Sequence, residues 1–430
     1  PSPVVDVPSI GNAGVADPGL PHELHQPGAG RRLRWDTSTS LPSSDTLRVQ
    51  SVHKAQSVSW RNLIVLLAGM LAAAPLLAAV GYGDGDVKFL LVVLVVATGG
   101  TIAGVQNVKG DPDRYRAGSL SAEQVVKSVP KLKDYARIET LQFSNVPSAL
   151  ITPAMWMELS RKIEAVLKER ADVAGVVVTH GTDRLEETAF FLYLTVRSDK
   201  PVVLVGAQRP ATGLSADGPQ NLLDAVRTAV APEAVGKGVM VVMDGRILSA
   251  REARKSYQRV GGFTTGDMGM LGVMGHAGAE FFFAPTRPHG SRSEFDLAGV
   301  DALPDVDLLF SYPGGKGPRF GAPPAGVVVA NTGFTCEESL AYLQLARAGT
   351  TVVSAFPSGE NVGRRWLPED SVPAEEMEPC QPVDKAAWAG RWIPTILASH
   401  LTPQKARILL MLALSKTRDD TELRRIFERY

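Results

Sequence analysis

Two short segments each place a hydroxyl-bearing residue just after a strand-like apolar run, which is where an α/β protein can display a nucleophile. The first is Ala97–Gly104 (ATGGTIAG), directly after the valine-rich run Phe89–Val96 (FLLVVLVV). Gly99 and Gly100 are adjacent, so a dinucleotide fingerprint, with its glycines spaced as GxGxxG, does not fit. The segment offers instead the hydroxyl of Thr101 on a backbone free to bend sharply. The second is Val176–Thr188 (VVVTHGTDRLEET), which sets Thr182 and Asp183 at another strand end, just before a helix. Backbone N–H groups at such a helix start can stabilise an anionic oxygen. A threonine hydroxyl is a poor nucleophile unaided, so acyl chemistry at Thr101 needs both a nearby acceptor and such an oxyanion hole. General-base assistance contributes about a hundred- to ten-thousand-fold.

Each of these residues also has a structural reading. Thr101 alone could be a threonine satisfied within a turn. His180 is a catalytic base on one reading and a hydrogen-bonded structural histidine on the other, which is the commoner fate at a strand end. Asp183 can cap the helix that follows it.

The elements that must hold these segments follow from the apolar pattern. Phe89–Val96 is an unbroken apolar run, as in a central strand buried on both faces. Thr152-Pro153 opens a helix, with threonine as cap and proline at the first helical position, and Trp156, Leu159, Ile163 and Val166 recur along one face. Gly175–Thr179 and Val202–Val205 read as strands separated by a helix over Leu185–Val196. That is the rhythm of βαβ units and a parallel sheet. Past a polar, proline-bearing stretch come strands at Val306–Phe310, Gly326–Ala330 and Thr350–Ser354, a helix at Glu337–Arg347, and terminal helices around Gln404–Leu414 and Thr421–Arg429. Ligands of open α/β sheets bind at the carboxyl ends of the strands, where Thr101 and Thr182 both stand.

Taken together, ATGGTIAG, THGTD, VGAQRP (Val205–Pro210) and SADGPQNL (Ser215–Leu222) closely resemble the bacterial type II L-asparaginases. The resemblance runs over about residues 88–430, including the terminal LTPQKARILLMLAL. It implies two α/β domains, a larger N-terminal one with a flavodoxin-like parallel sheet and a smaller C-terminal one, in a dimer or tetramer with no cofactor and no metal. By resemblance, Thr101 is the nucleophile attacking the side-chain amide of L-asparagine. Tyr115, in VKGDPDRYRAG (Val108–Gly118), is the tyrosine of a lid that closes beside it. Thr182 and Lys255 polarise water, and Asp183 binds the substrate ammonium. Ser148 in NVPSAL holds the α-carboxylate, and the N–H groups of Thr182 and Ala207 complete the oxyanion hole. Lys255 stands in the basic run REARKSYQR, where the plainer reading is a solvated charge.

The chain departs from the family pattern where the substrate amine would be gripped. Ala149 follows Ser148 where relatives carry Gln or Glu, Gly333 follows Asn331 and Thr332 at the place of a second asparagine, and Ala387, with Asp384 the nearest acid, falls where a partner subunit's glutamate is expected. Two other readings remain. One is the asparaginase-like subunit of a tRNA-dependent amidotransferase, whose leading domain residues 1–87 do not resemble. The other is an amino-acid-binding protein that kept the fold and lost turnover, against which the complete Thr101, Thr182, Asp183 and Lys255 set stands.

The whole chain sets outer bounds. Its 430 residues exceed one ordinary core. Lys plus Arg and Asp plus Glu number 45 each, which leaves no basic excess to attract nucleic acid or an acidic membrane. Residues 1–60, rich in Pro, Gly, Ser and Asp, read as a disordered extension. Residues 61–83 read as a secretory signal or a membrane anchor. Lys54 and Arg61 precede the apolar run Leu63–Val80, and Pro75 with Ala78 and Ala79 favours the signal, hence a periplasmic or secreted enzyme. A membrane partner follows only if that segment is retained. The expected organisation is then a catalytic domain over 84–284, a linker over 285–304 and a C-terminal domain over 305–430. The two cysteines, Cys336 and Cys380, match no metal-site spacing and are expected as unpaired thiols, with one disulfide as the alternative.

Overall fold

The computed structural model describes residues 91–111, 114–359 and 395–430. The expected extension and signal segment, and also Cys380, Asp384 and Ala387, lie outside the described residues. Among the described residues no helix is long and apolar enough to cross a membrane.

In chain order the strands are β1 (Val92–Gly99), β2 (Val105–Gln106), β3 (Tyr115–Arg116), β4 (Arg137–Val146), β5 (Val173–Thr179), β6 (Val202–Val205), β7 (Val239–Met243) and β8 (Arg246–Ser249). They continue with β9 (Arg254–Lys255), β10 (Phe263–Thr264), β11 (Gly272–Met274), β12 (Ala279–Phe281), β13 (Val306–Phe310), β14 (Gly326–Ala330), β15 (Thr351–Ala355) and β16 (Thr395–Leu397). The larger sheet runs β12-β11-β8-β7-β6-β5-β1-β4. Its five strands β4, β1, β5, β6 and β7 pair in parallel, and β8, β11 and β12 extend it antiparallel. Counting only the parallel strands in chain order gives 2-1-3-4-5, the flavodoxin-like order. The chain leaves β1 towards β4 on one side and leaves β5 towards β6 on the other. The crevice of the switch point therefore opens above the ends of β1 and β5.

Every residue of β1 is buried, as its unbroken apolar run requires. The strand lies three residues later than the run Phe89–Val96 predicts at its carboxyl end, because polar Thr98 still belongs to the ladder. Its Oγ1 donates to the Thr179 carbonyl at 3.0 Å, which satisfies the hydroxyl inside the core. Thr152 caps the helix Pro153–Glu169, its hydroxyl accepting from the Met155 N–H, and Trp156, Leu159, Ile163 and Leu167 form its buried face.

The second sheet, β13-β14-β15-β16, is parallel throughout. The helix Leu185–Thr195 is buried on all sides save at Glu186. It packs on β7 and on the helix Pro403–Leu414, which in turn lies against β13, β14 and β15. One apolar core therefore runs from the first sheet into the second. Near the second sheet the expectation of unpaired thiols is corrected: Cys336, at the start of the helix Cys336–Arg347, is disulfide-bonded.

Candidate active site

The site is assembled from four loops at the carboxyl ends of β1, β4, β5 and β6. After β1 the chain turns through Gly100, whose φ of 80° lies in the region glycine adopts without strain, into a single 3-10 turn, Thr101–Ala103. This turn keeps Thr101 at 9% exposure. The Thr101 hydroxyl meets Tyr115 Oη at 2.8 Å. Tyr115 is presented by the antiparallel pair β2 and β3, with Gln106 opposite Tyr115. That hairpin is tied down at its other face, where the Gln106 N–H donates to Thr212 Oγ1 at 2.8 Å and the Ala211 N–H donates to the Gly104 carbonyl at 2.9 Å.

The loop after β5 lies against this turn. A Cβ on Gly181 would stand 2.8 Å from Ser148 Oγ, so the loops after β4 and β5 meet there as well. Ser148 is buried and accepts a hydrogen bond of 3.3 Å from the Arg184 N–H. Thr182, also buried, receives Lys255 Nζ on its hydroxyl at 2.8 Å. The same ammonium donates to Asp183 Oδ1 at 2.7 Å. Asp183 is well exposed while Lys255 keeps 12% side-chain exposure, so the pair has one wet and one dry member. The plainer reading of Lys255 as a solvated charge is thereby set aside.

Two buried backbone donors complete the arrangement. Neither the Thr182 N–H nor the Ala207 N–H has a hydrogen-bond acceptor among the described residues, although Ala207 is fully buried and Thr182 nearly so. Buried N–H groups without partners are rare in folded chains. Ala207 is fixed by its neighbours: the Gln208 and Arg209 N–H groups both donate to the Asp217 carboxylate, at 2.8 and 2.9 Å.

His180 is wholly buried, and both its ring nitrogens are engaged, Nδ1 with the Gly181 carbonyl at 2.8 Å and Nε2 with the Thr188 hydroxyl at 3.0 Å. Burial pushes its pKa down to about 4. It is a neutral, hydrogen-bonded histidine and not a base open to substrate.

Two groups escaped the sequence reading. Glu186 accepts the Lys255 backbone N–H on its carboxylate, which pins β9 to the start of the helix Leu185–Thr195. Lys405 is 1% exposed, and its Nζ donates to the Arg251 and Ala253 carbonyls in the turn that leads into Lys255. Burial pushes its pKa down to about 8, against the opposing pull of Glu186 and Glu252. A signal for Lys405 was present: it shares a helix face with Ile408, Leu409 and Leu412, all buried. Of the positions that depart from the family pattern, Ala149 and Gly333 are exposed; the retained Asn331 is occupied within the second sheet, donating to the Val329 carbonyl at 3.0 Å and to Ser354 Oγ at 2.9 Å. Among the described residues no group of three or more His, Cys, Asp or Glu side chains is placed to hold a metal ion.

The family described as Asparaginase, N-terminal, matches residues 92–287. L-asparaginase 2 of Bacillus subtilis is 37% identical over 79% of this chain and 86% of its own length. A glutaminase-asparaginase of Pseudomonas fluorescens is 36% identical over 79% of this chain and 90% of its own. The crystal structure of a probable cytoplasmic L-asparaginase from Campylobacter jejuni superposes with a TM-score of 0.68 at 35% identity, covering 79% of this chain and 99% of that one. With similarity of this extent, the chain belongs to the asparaginase family and is an amidohydrolase.

Proposed function

We propose that the protein hydrolyses L-asparagine to L-aspartate and ammonia through an acyl-enzyme on Thr101, with L-glutamine as a second substrate. The observation that carries this reading is the pair of hydroxyl contacts on abutting loops, Thr101 with Tyr115 and Thr182 with Lys255. A single pair would serve one proton transfer; two serve the two halves of a double displacement.

In the first half, Ser148 and Asp183 hold the α-carboxylate and α-ammonium, and the Thr101 oxygen attacks the side-chain amide carbon. The unpartnered N–H groups of Thr182 and Ala207 receive the charge that develops on the carbonyl oxygen. The proton leaving Thr101 has to reach the departing amine, and Tyr115 Oη, 2.8 Å away, is the hydroxyl through which it passes. Ammonia leaves and an ester remains. In the second half, Thr182 and Lys255 orient and polarise a water that attacks the ester and releases aspartate. The relative that carries glutaminase in its name supports the wider substrate range.

We further read residues 84–284 as the catalytic domain, 285–304 as a linker and 305–430 as a second α/β domain, in an assembly of at least two subunits. Residues 61–83 are read as an export signal, with the mature enzyme periplasmic or secreted. The experiment that tests the reaction is ammonia release by Thr101→Ala. The variant should fold normally and release no ammonia above background, and near-normal turnover would remove Thr101 from the chemistry.

A further inference from the structure

The buried hydroxyl-imidazole chain behind Thr182 has a direction that its donors and acceptors fix. Trp156 Nε1 is a donor only, and it meets the Thr188 hydroxyl at 2.8 Å. That hydroxyl therefore turns its own proton away from the indole, towards His180 Nε2 at 3.0 Å. At the far end the Gly181 carbonyl is an acceptor only, so His180 Nδ1 carries the ring proton and donates to it at 2.8 Å. The order Trp156, Thr188, His180, Gly181 is the only one that satisfies every member, and it requires a neutral imidazole. Burial, which holds His180 down at about 4, keeps the ring in that state.

The carbonyl at the end of this chain belongs to the same planar, trans peptide unit as the Thr182 N–H. In such a unit the C=O and the N–H point in opposite directions, so whatever holds the oxygen also aims the hydrogen. The aimed hydrogen is the one found buried and without an acceptor. A flip of this peptide would turn a carbonyl oxygen, rather than a donor, towards the developing negative charge. Gly181 itself offers little resistance to such a flip, since glycine crosses the allowed regions of backbone space more freely than any other residue.

We propose that His180 is a positioning residue for the oxyanion hole: held by Thr188 and Trp156, it grips the Gly181 carbonyl and thereby keeps the Thr182 N–H facing the reacting carbonyl oxygen. The proposal rests on the reading of Thr182 as an oxyanion donor, and it assigns to His180 a task distinct from acid–base chemistry.

Two substitutions separate positioning from mere packing. His180→Asn keeps an N–H donor close to the place of Nδ1, whereas His180→Leu fills similar space with none. For His180→Leu the expected result is a fall in kcat of roughly 10- to 100-fold, below the full loss of one oxyanion donor, with KM for asparagine changed far less. For His180→Asn, kcat should recover to within about tenfold of the unsubstituted enzyme, even where its melting temperature is the lower of the two. Equal losses of kcat in the two variants, or an undiminished kcat in His180→Leu, would overturn the proposal. His180→Met serves if His180→Leu does not fold. It also fills the space without offering a donor to the Gly181 carbonyl, so kcat should again fall with KM largely kept, and an unchanged kcat counts against the proposal. Thr101→Ala is measured alongside: turnover surviving in that variant would mean that the acyl-enzyme reading has failed, whatever His180 does.

Discussion

Gly100 and Gly181 lie backbone to backbone: a Cβ on Gly100 would stand 2.3 Å from the Gly181 Cα and 2.4 Å from the Gly181 nitrogen. The loops after β1 and β5 are thus brought as close as two chains can come, and the two hydroxyl pairs sit on either side of this seam. The contact explains Gly100; Gly99 beside it answers to a different neighbour, since its Cβ would stand 2.6 Å from the Val146 carbonyl oxygen.

Gly100→Ala should therefore separate the two halves of the site. The methyl group meets main chain, which cannot swing aside, and φ of 80° is itself unfavourable for alanine. Ammonia release should fall by about 100-fold or more, the scale on which a misplacement of about 1 Å acts. Ammonia assays at saturating asparagine, together with circular dichroism to show that the fold is kept, are the check. An alanine variant with ordinary activity would mean that the two loops need not touch.

His180 also makes an acid-side prediction for stability. Its folded-state pKa is about 4 against an ordinary value of 6.5, so between those pH values the unfolded chain binds a proton that the folded chain refuses. Stability contributed by the neutral ring is then fully present above about pH 6.5 and is lost as pH falls towards 4. In His180→Asn the decline of melting temperature over this window should be shallower than in the unsubstituted protein. Parallel curves for the two would show that His180 is not a source of the acid sensitivity.

Lys405 gives the opposite window. Its pKa is depressed to about 8 from 10.5 by burial among Glu186, Arg251, Glu252 and Arg254, with His400 lining the same small polar cavity. From about pH 8 to 10.5 the unfolded chain holds the proton more tightly than the folded one, so this group adds stability as pH rises through that range. Lys405→Met should remove that rise from a denaturation series run between pH 7.5 and 10.5. A rise of unchanged slope would place its origin elsewhere.

Much of this was legible in the chain. β6 and β14 begin and end where their apolar runs do, because these short strands are buried on both faces; β13 keeps its expected bounds although only Val306 in it is buried. Thr101, Thr182 and Asp183 were found because each follows a strand. What spacing could not supply is contact across the sequence. Lys255 is 73 residues from Thr182, and only the meeting of β9 with the helix start makes them partners. Lys405, further still along the chain, reaches the same turn from the last helices. The Cys336 disulfide stood only as the alternative to free thiols, since the cysteines of this chain carry no local spacing signature. The free N–H of Ala207 was reached only by resemblance: an unpartnered amide leaves no mark on residue type.

The central claim, that hydrolysis passes through an ester on Thr101, is tested most directly by trapping that ester. Lys255→Met removes the ammonium that donates to the Thr182 hydroxyl while keeping the side-chain stem, and should slow water attack more than the first displacement. Mixed with saturating asparagine, the variant should release a burst of ammonia near one equivalent per site and then turn over slowly. Intact-protein mass spectrometry in the slow phase should show an aspartyl adduct, and digestion should place it on the peptide carrying Thr101. An adduct on the peptide carrying Thr182, or a variant that loses burst and steady turnover alike and shows no adduct, would contradict the account.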